Sequence, residues 1–156
     1  MDTTCIAIAD LDLEPVACVH PGTSLAQAAR VLAATGYGVI AVETVPIAEI
    51  TDSNVIDALA SGRPPLTHLT DVRRDAPQFV GPDTSAGDAT ALMLVTGRRA
   101  LVVVDEGRPL GVVTLRTAIS AMWGGKSWLG ALRVALHVER GWREFGPSEA
   151  GNAHRG

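Results

Sequence analysis

Residues 99–122 read RALVVVDEGRPLGVVTLRTAISAM, and their pattern decides the fold. An apolar run (Leu101–Val104), a polar turn (Asp105–Pro109), a second apolar run (Leu110–Val113) and a Thr-led segment (Thr114–Met122) follow one another. This order predicts strand, hairpin, strand, helix. Thr114 stands where a buried strand hands over to a helix N-terminus, whose free N–H groups and positive dipole end favour an anionic or hydroxyl-rich ligand. Residues 40–59 repeat the plan in weaker form.

Working outward, the chain is self-similar. Ile8-Ala9-Asp10 aligns with Leu69-Thr70-Asp71, Pro21–Ser24 with Pro82–Ser85, Ala28 with Ala89 and Gly36 with Gly97, each pair 61 positions apart. Thr51 then aligns with Thr114 and Ala58 with Ala121, at an offset of 63, so the second hairpin is two residues longer. A turn is where a duplicated unit accommodates a length change. Each copy opens with a short strand (Val16–Val19; Gln78–Val80). A Pro-containing turn follows, then an Ala-rich helix capped by Ser24 with Gln27 or by Ser85 with Asp88. Leu25, Ala28, Ala29 and Leu32 fall on one helical stripe, and Gly36 and Gly97 suit the left-handed residue that ends a helix. Two strands and a last helix complete β-α-β-β-α. A unit of this size is marginal alone, so the copies are expected to pack on each other.

The repeats are placed at 8–62 and 66–124, separated by the turn-rich Ala60–Pro65. Beyond them, residues 126–145 read as a C-terminal amphipathic helix with Trp128, Leu132, Ala135 and Trp142 near one face. Residues 146–156 read as a disordered tail.

Composition narrows the function. The 156 residues are 47% hydrophobic and 19% charged, which is globular rather than disordered. A net charge of −4 argues against a nucleic-acid-binding surface. No window reaches the length of a membrane span, and the first residues lack the pattern of a signal peptide, so a cytoplasmic protein is expected. Cys5 and Cys18 are the only cysteines; two reduced, packed thiols are expected, with a single disulfide as the alternative. Cys18-x-His20 has no second ligand pair, so no metal site is expected. Gly124–Ser127 ends like a phosphate-binding loop, but Ser120 stands where its leading glycine belongs. No nucleophile elbow, HExxH pattern or Cys/His signature is present, so no catalytic residue and no enzyme activity are expected.

The Pro-x-Thr-Ser helix starts, Gly-ended helices, apolar strand pairs and Thr-led last helices together resemble a tandem pair of CBS domains, a Bateman module. The second copy carries the better match, LVVVDEGRPLGVVT. In the first, VIAVETVPIAEIT, Ala48 stands where the family has Gly. The resemblance implies an α/β (α+β) fold in which two β-α-β-β-α repeats pack as a pseudo-twofold pair. It further implies a regulatory or sensor protein, commonly a homodimer, that binds an adenosine-containing nucleotide such as AMP, ADP, ATP or S-adenosylmethionine as a regulatory ligand and needs no cofactor for catalysis. The Thr and the ribose-binding Asp of the family motif fall on Thr51 with Asn54 and on Thr114 with Thr117. Asn54 keeps an acceptor without a charge, Thr117 offers only a hydroxyl, and neighbouring Asp52 carries the carboxylate nearest in sequence. Arg98 and Arg99 open the first strand of the second hairpin, a position from which that family reaches ligand phosphates, or are solvated charges at a strand end. Tyr37, the matching position in the first copy, either stacks on a base or packs at the domain edge. The alternative is a non-catalytic interaction module that has lost nucleotide binding and engages a partner protein through the C-terminal helix.

Overall fold

In the computed structural model, residues 5–74 and 76–123 are described. The C-terminal helix and tail expected over 126–156, with Gly124–Ser127, lie outside them.

The apolar runs become strands whose alternation assigns each side chain to one of two cores. In the first half, β1 (Cys18–Val19) runs parallel to β2 (Val39–Val42), which pairs antiparallel with β3 (Ala48–Thr51). Successive strand residues point to opposite faces. Ile40 and Val42 therefore enter a core with Leu25, Leu32, Ile50 and Val55, while Val39 enters a different cluster on the other face. In the second half, β4 (Ala100–Asp105) pairs antiparallel with β5 (Arg108–Thr114). Leu101 and Val103 face Met93, Val113 and Ala118, and Ala100 and Val102 face Val39. The two sheets thus meet through Val39, Ala100, Val102 and Val112, and each carries its helices on its outer side.

The helices form where the caps predict. α1 (Leu25–Thr35) starts at a reciprocal capping box, with the Gln27 N–H donating to Ser24 Oγ at 3.2 Å and the Ser24 N–H donating to Gln27 Oε1 at 3.1 Å. It stops at Gly36, whose φ of 71° is the left-handed conformation that glycine tolerates. α2 (Asp52–Ala60) follows β3 directly, α3 (Ala86–Thr96) starts at Ser85, and α4 (Leu115–Met122) follows β5.

Three local expectations change. The β4–β5 hairpin tightens to a two-residue turn, Glu106-Gly107, with φ of 47° and 77°. Positive φ at both central residues matches the twist of the flanking strands. Pro109 is absorbed opposite Val104 at an irregularity in the ladder. The strand expected over Gln78–Val80 is reduced to a single parallel bridge between Val80 and Val103. The Gln78 N–H donates instead to the Glu49 side chain at 3.0 Å, and Pro77 has no N–H to offer a ladder. Cys5 and Cys18 are unpaired but exposed, not packed. Partial burial and then the Glu43 carboxylate push the Cys18 pKa up, which keeps it a neutral thiol.

The packing also crosses the sequence repeats. The turn at Ile8–Asp10 docks on the second half, where the Ile8 N–H donates to the Thr84 carbonyl at 2.9 Å and Ile8 joins the core of Met93 and Leu101. The equivalent turn at Leu69–Asp71 docks on the first half, where the Leu69 N–H donates to the Thr23 carbonyl at 2.9 Å and Leu69 joins the core of Leu25 and Ile50. Glu14 adds an antiparallel bridge to Val112 on the edge of β5. Gly111 permits that approach, because a Cβ there would stand 2.9 Å from the Glu14 carbonyl oxygen.

Candidate functional site

A cleft of about 560 Å³ opens between the halves, a size typical of small-molecule pockets. One wall is the start of α2 (Thr51, Asp52, Ser53) with Tyr37 and Gly38 before β2, and the other is Arg98 and Arg99 before β4. The sequence placed these arginines beside the second helix start. Their backbone stays there, with the Leu115 N–H donating to the Arg99 carbonyl, while their side chains cross to Glu49 and Asp52 of the first half.

The two arginines differ in their surroundings. Arg98 is 17% exposed at its side chain and pairs with Glu49 of β3, which is 3% exposed. Glu49 Oε1 takes both that bond and the Gln78 N–H, so one carboxylate ties β3, the segment before β4 and the strand-like bridge of the second half together. Its other oxygen, Oε2, is enclosed and accepts no hydrogen bond. Arg74 Nη1 is likewise enclosed without an acceptor, but Arg74 is not part of the cleft wall. Arg99 is 70% exposed and lies 3.5 Å from the carboxylate of Asp52, itself 48% exposed, so the pair spans the cleft loosely. Gly38, at φ 76°, stands beneath the pair, where a Cβ would come within 3.0 Å of Asp52 Oδ2 and 3.3 Å of Arg99.

The helix starts do not offer free donors as the sequence led us to expect. At α2 the Asp52 N–H donates to the Gly38 carbonyl (3.1 Å), the Ser53 N–H to Asp52 Oδ1 (2.8 Å) and the Asn54 N–H to Thr51 Oγ1 (3.2 Å). Asn54 is buried, and its Oδ1 accepts the Thr51 N–H at 3.0 Å, completing a capping box. Asn54 is not part of the cleft wall, and Asp52 is the carboxylate that lines it. At α4 the Leu115 N–H donates to the Arg99 carbonyl (2.8 Å) and the Thr117 N–H to Thr114 Oγ1 (3.1 Å), while the two threonine hydroxyls bond each other at 2.9 Å. Thr114 and Thr117 are outside this cleft. The spacing of a capping box and that of the family's Thr-x-x-Asp motif are the same, so sequence alone could not separate the two uses of Asn54.

Tyr37 lines the cleft and packs at the edge of the cluster between the sheets. A hydrogen bond to Glu14, then partial desolvation and the Glu14 charge, raise its phenol above the ordinary value. Tyr37 is the chain's single tyrosine, so its ionisation can be followed by the absorbance of the phenolate. The titration should lie above the ordinary ~10 and move down toward it in Glu14→Gln, since loss of the negative neighbour eases formation of the anion. An unshifted titration in that variant would remove Glu14 as the cause.

Glu49 went unnoticed as a site residue in the sequence. The available signal was an acid inside the otherwise apolar PIAEIT, where a strand buried on both faces has no solvent for a carboxylate. Among the described residues, no group of three or more His, Cys, Asp or Glu is placed to hold a metal ion. His20 Nδ1 accepts the Gly22 N–H at 3.0 Å and shapes its own turn. No described helix is long and apolar enough to cross a membrane.

Comparison with known proteins gives the frame for this geometry. Residues 69–124 match the family model of the CBS domain. The fold resembles a CBS-domain-containing protein from Agrobacterium tumefaciens (17% identity, TM-score 0.62), over 78% of this chain and 96% of that one. It also resembles CBSX2 in complex with AMP (23% identity, TM-score 0.60), over 77% of this chain and 98% of that one. A third likeness is to the CBS domain pair of protein MJ0100 in complex with 5′-methylthioadenosine and S-adenosyl-L-methionine (22% identity, TM-score 0.60), over 79% of this chain and 99% of that one. These are likenesses of fold. No curated protein sequence matches the chain.

Proposed function

We propose that this chain, which carries a CBS domain at residues 69–124 and has the fold of a CBS pair, is a non-catalytic sensor that binds an adenosine-containing ligand between its halves. The observation that carries the reading is the meeting of Tyr37, Asp52 and Arg99 in one cleft, with contributions from both repeats. An aromatic face suits a purine, an ionised carboxylate accepts from a pair of ribose hydroxyls, and a guanidinium matches a phosphate or carboxylate. The crystal structures of CBSX2 with AMP and of the MJ0100 pair with two adenosyl compounds support the ligand class. Because the cleft walls come from different repeats, a ligand that bridges them favours one mutual arrangement, which is how binding becomes a signal.

The repeats are taken as 8–62 and 66–124. A second copy of the chain is the proposed partner, through the exposed apolar residues Ile56 and Leu59 on α2 and Leu94 and Val95 on α3. The other reading, an interaction module without a nucleotide, draws support from the second helix start, where Thr117 is spent on Thr114.

The test is thermal unfolding of protein freed of co-purified nucleotide, with AMP, ADP, ATP, S-adenosylmethionine and 5′-methylthioadenosine. A ligand at 100 times its Kd stabilises by about 2.7 kcal/mol, a rise of several degrees. Asp52→Ala should lower affinity roughly 10- to 150-fold through loss of charged hydrogen bonds. A silent panel, with calorimetry equally silent, overturns the adenosyl reading in favour of the interaction module.

A further inference from the structure

We infer that the cleft selects adenosyl ligands of low charge, a nucleoside or its monophosphate, over the corresponding di- and triphosphates. The inference rests on the adenosyl reading above and adds to it the charge class of the ligand. Two separate observations carry it.

The first is the balance of charge. Among the described residues, the charged side chains on the cleft wall are Asp52, Arg98 and Arg99. Arg98 is already matched by Glu49, and Arg99 faces Asp52 at 3.5 Å. The cations therefore stand in pairs with anions, and the chain's net charge of −4 adds no attraction for a polyanion. The second is the helix start. An anion at a helix N-terminus is held by backbone N–H groups that have no other partner. Here the N–H groups of Asp52, Ser53 and Asn54 are bonded to Gly38, Asp52 and Thr51. Each further phosphate thus brings a charge that must shed water without finding an unpaired cation or a free backbone N–H at this helix start. A ribose diol and one anionic group, by contrast, can divide the Asp52–Arg99 pair between them.

The test is calorimetric titration of the whole chain with adenosine, AMP, ADP and ATP, without divalent cations, a series that varies charge on a constant nucleoside. Adenosine or AMP should bind tightest, with ATP weaker by roughly 10-fold or more. This first arm needs no variant. In the second, Glu49→Gln keeps an acceptor for the Gln78 N–H while releasing the charge of Arg98, and the ATP-to-AMP affinity ratio should rise roughly 10-fold. Affinity that climbs with phosphate number in the unaltered protein, or a ratio unmoved in Glu49→Gln, overturns the selectivity and leaves the adenosyl reading standing. Failure of the whole series to bind overturns the selectivity, and silence of S-adenosylmethionine and 5′-methylthioadenosine as well overturns the adenosyl reading with it.

Discussion

Arg98→Ala is expected to destabilise the protein by about 3–5 kcal/mol, because it strands the Glu49 carboxylate in the interior. Glu49 is 3% exposed at its side chain, and its remaining hydrogen bond is the Gln78 N–H. With its cation gone, the carboxylate keeps the cost of leaving water and loses the charge that offset it. For a chain of this length such a loss lowers Tm by about 10 °C. The reverse substitution is milder. Glu49→Gln leaves the charge on Arg98, which at 17% exposure keeps contact with solvent, and should cost about 1–2 kcal/mol. Urea unfolding of the two variants measures the asymmetry. Equal effects, or a smaller one for Arg98→Ala, would show that the pair is not the interior bond between halves described above.

Leu101→Ala should cost about 2–5 kcal/mol. Leu101 is fully buried on β4, on the face that packs against Met93 of α3 and Ala118 of α4. Its neighbour Val102 points the other way, into the cluster with Val39 of the first half. A cavity at Leu101 therefore lies one residue from the contact that joins the sheets. Unfolding should remain a single cooperative transition at lower denaturant, seen alike by far-ultraviolet circular dichroism and by the absorbance of Tyr37, which packs on the cluster between the sheets. A biphasic curve would mean that the cluster of Val39, Ala100, Val102 and Val112 does not couple the halves. A loss below about 1 kcal/mol would contradict the close packing around Leu101.

The sequence was most legible where one local rule determined the outcome. Ser24 with Gln27 and Gly36 marked both ends of α1, and the alternation in LVVVDEGRPLGVVT marked β4 and β5, because caps and strand periodicity act within a few residues. Legibility fell where a distant partner decided. The second copy's opening strand shrank because the Gln78 N–H is taken by Glu49, 29 positions away. Arg98 looked like a phosphate ligand and is instead held by that same carboxylate, a pairing set by how the sheets meet. Asn54 carried two meanings at one spacing, and only its burial and its bond to Thr51 chose between them. Asp52 became the cleft's carboxylate through the position of Arg99, which no window of sequence around Asp52 contains.

The crossing of the turns at Ile8 and Leu69 bears on how the chain is made. As it leaves the ribosome, the first half has its strands and helices by residue 60, yet Leu69 and Val72, which close its core, are still to come. Ile8 emerges ahead of every described strand and α-helix, and its seat against Met93, Leu101 and Val113 exists only after nearly all the described chain has been synthesised. Neither half is a finished object at the moment its own repeat ends. A cut at the Pro64-Pro65 break would give two fragments, each holding the plug that fits the other, so the pair is the smallest inheritable piece of this fold.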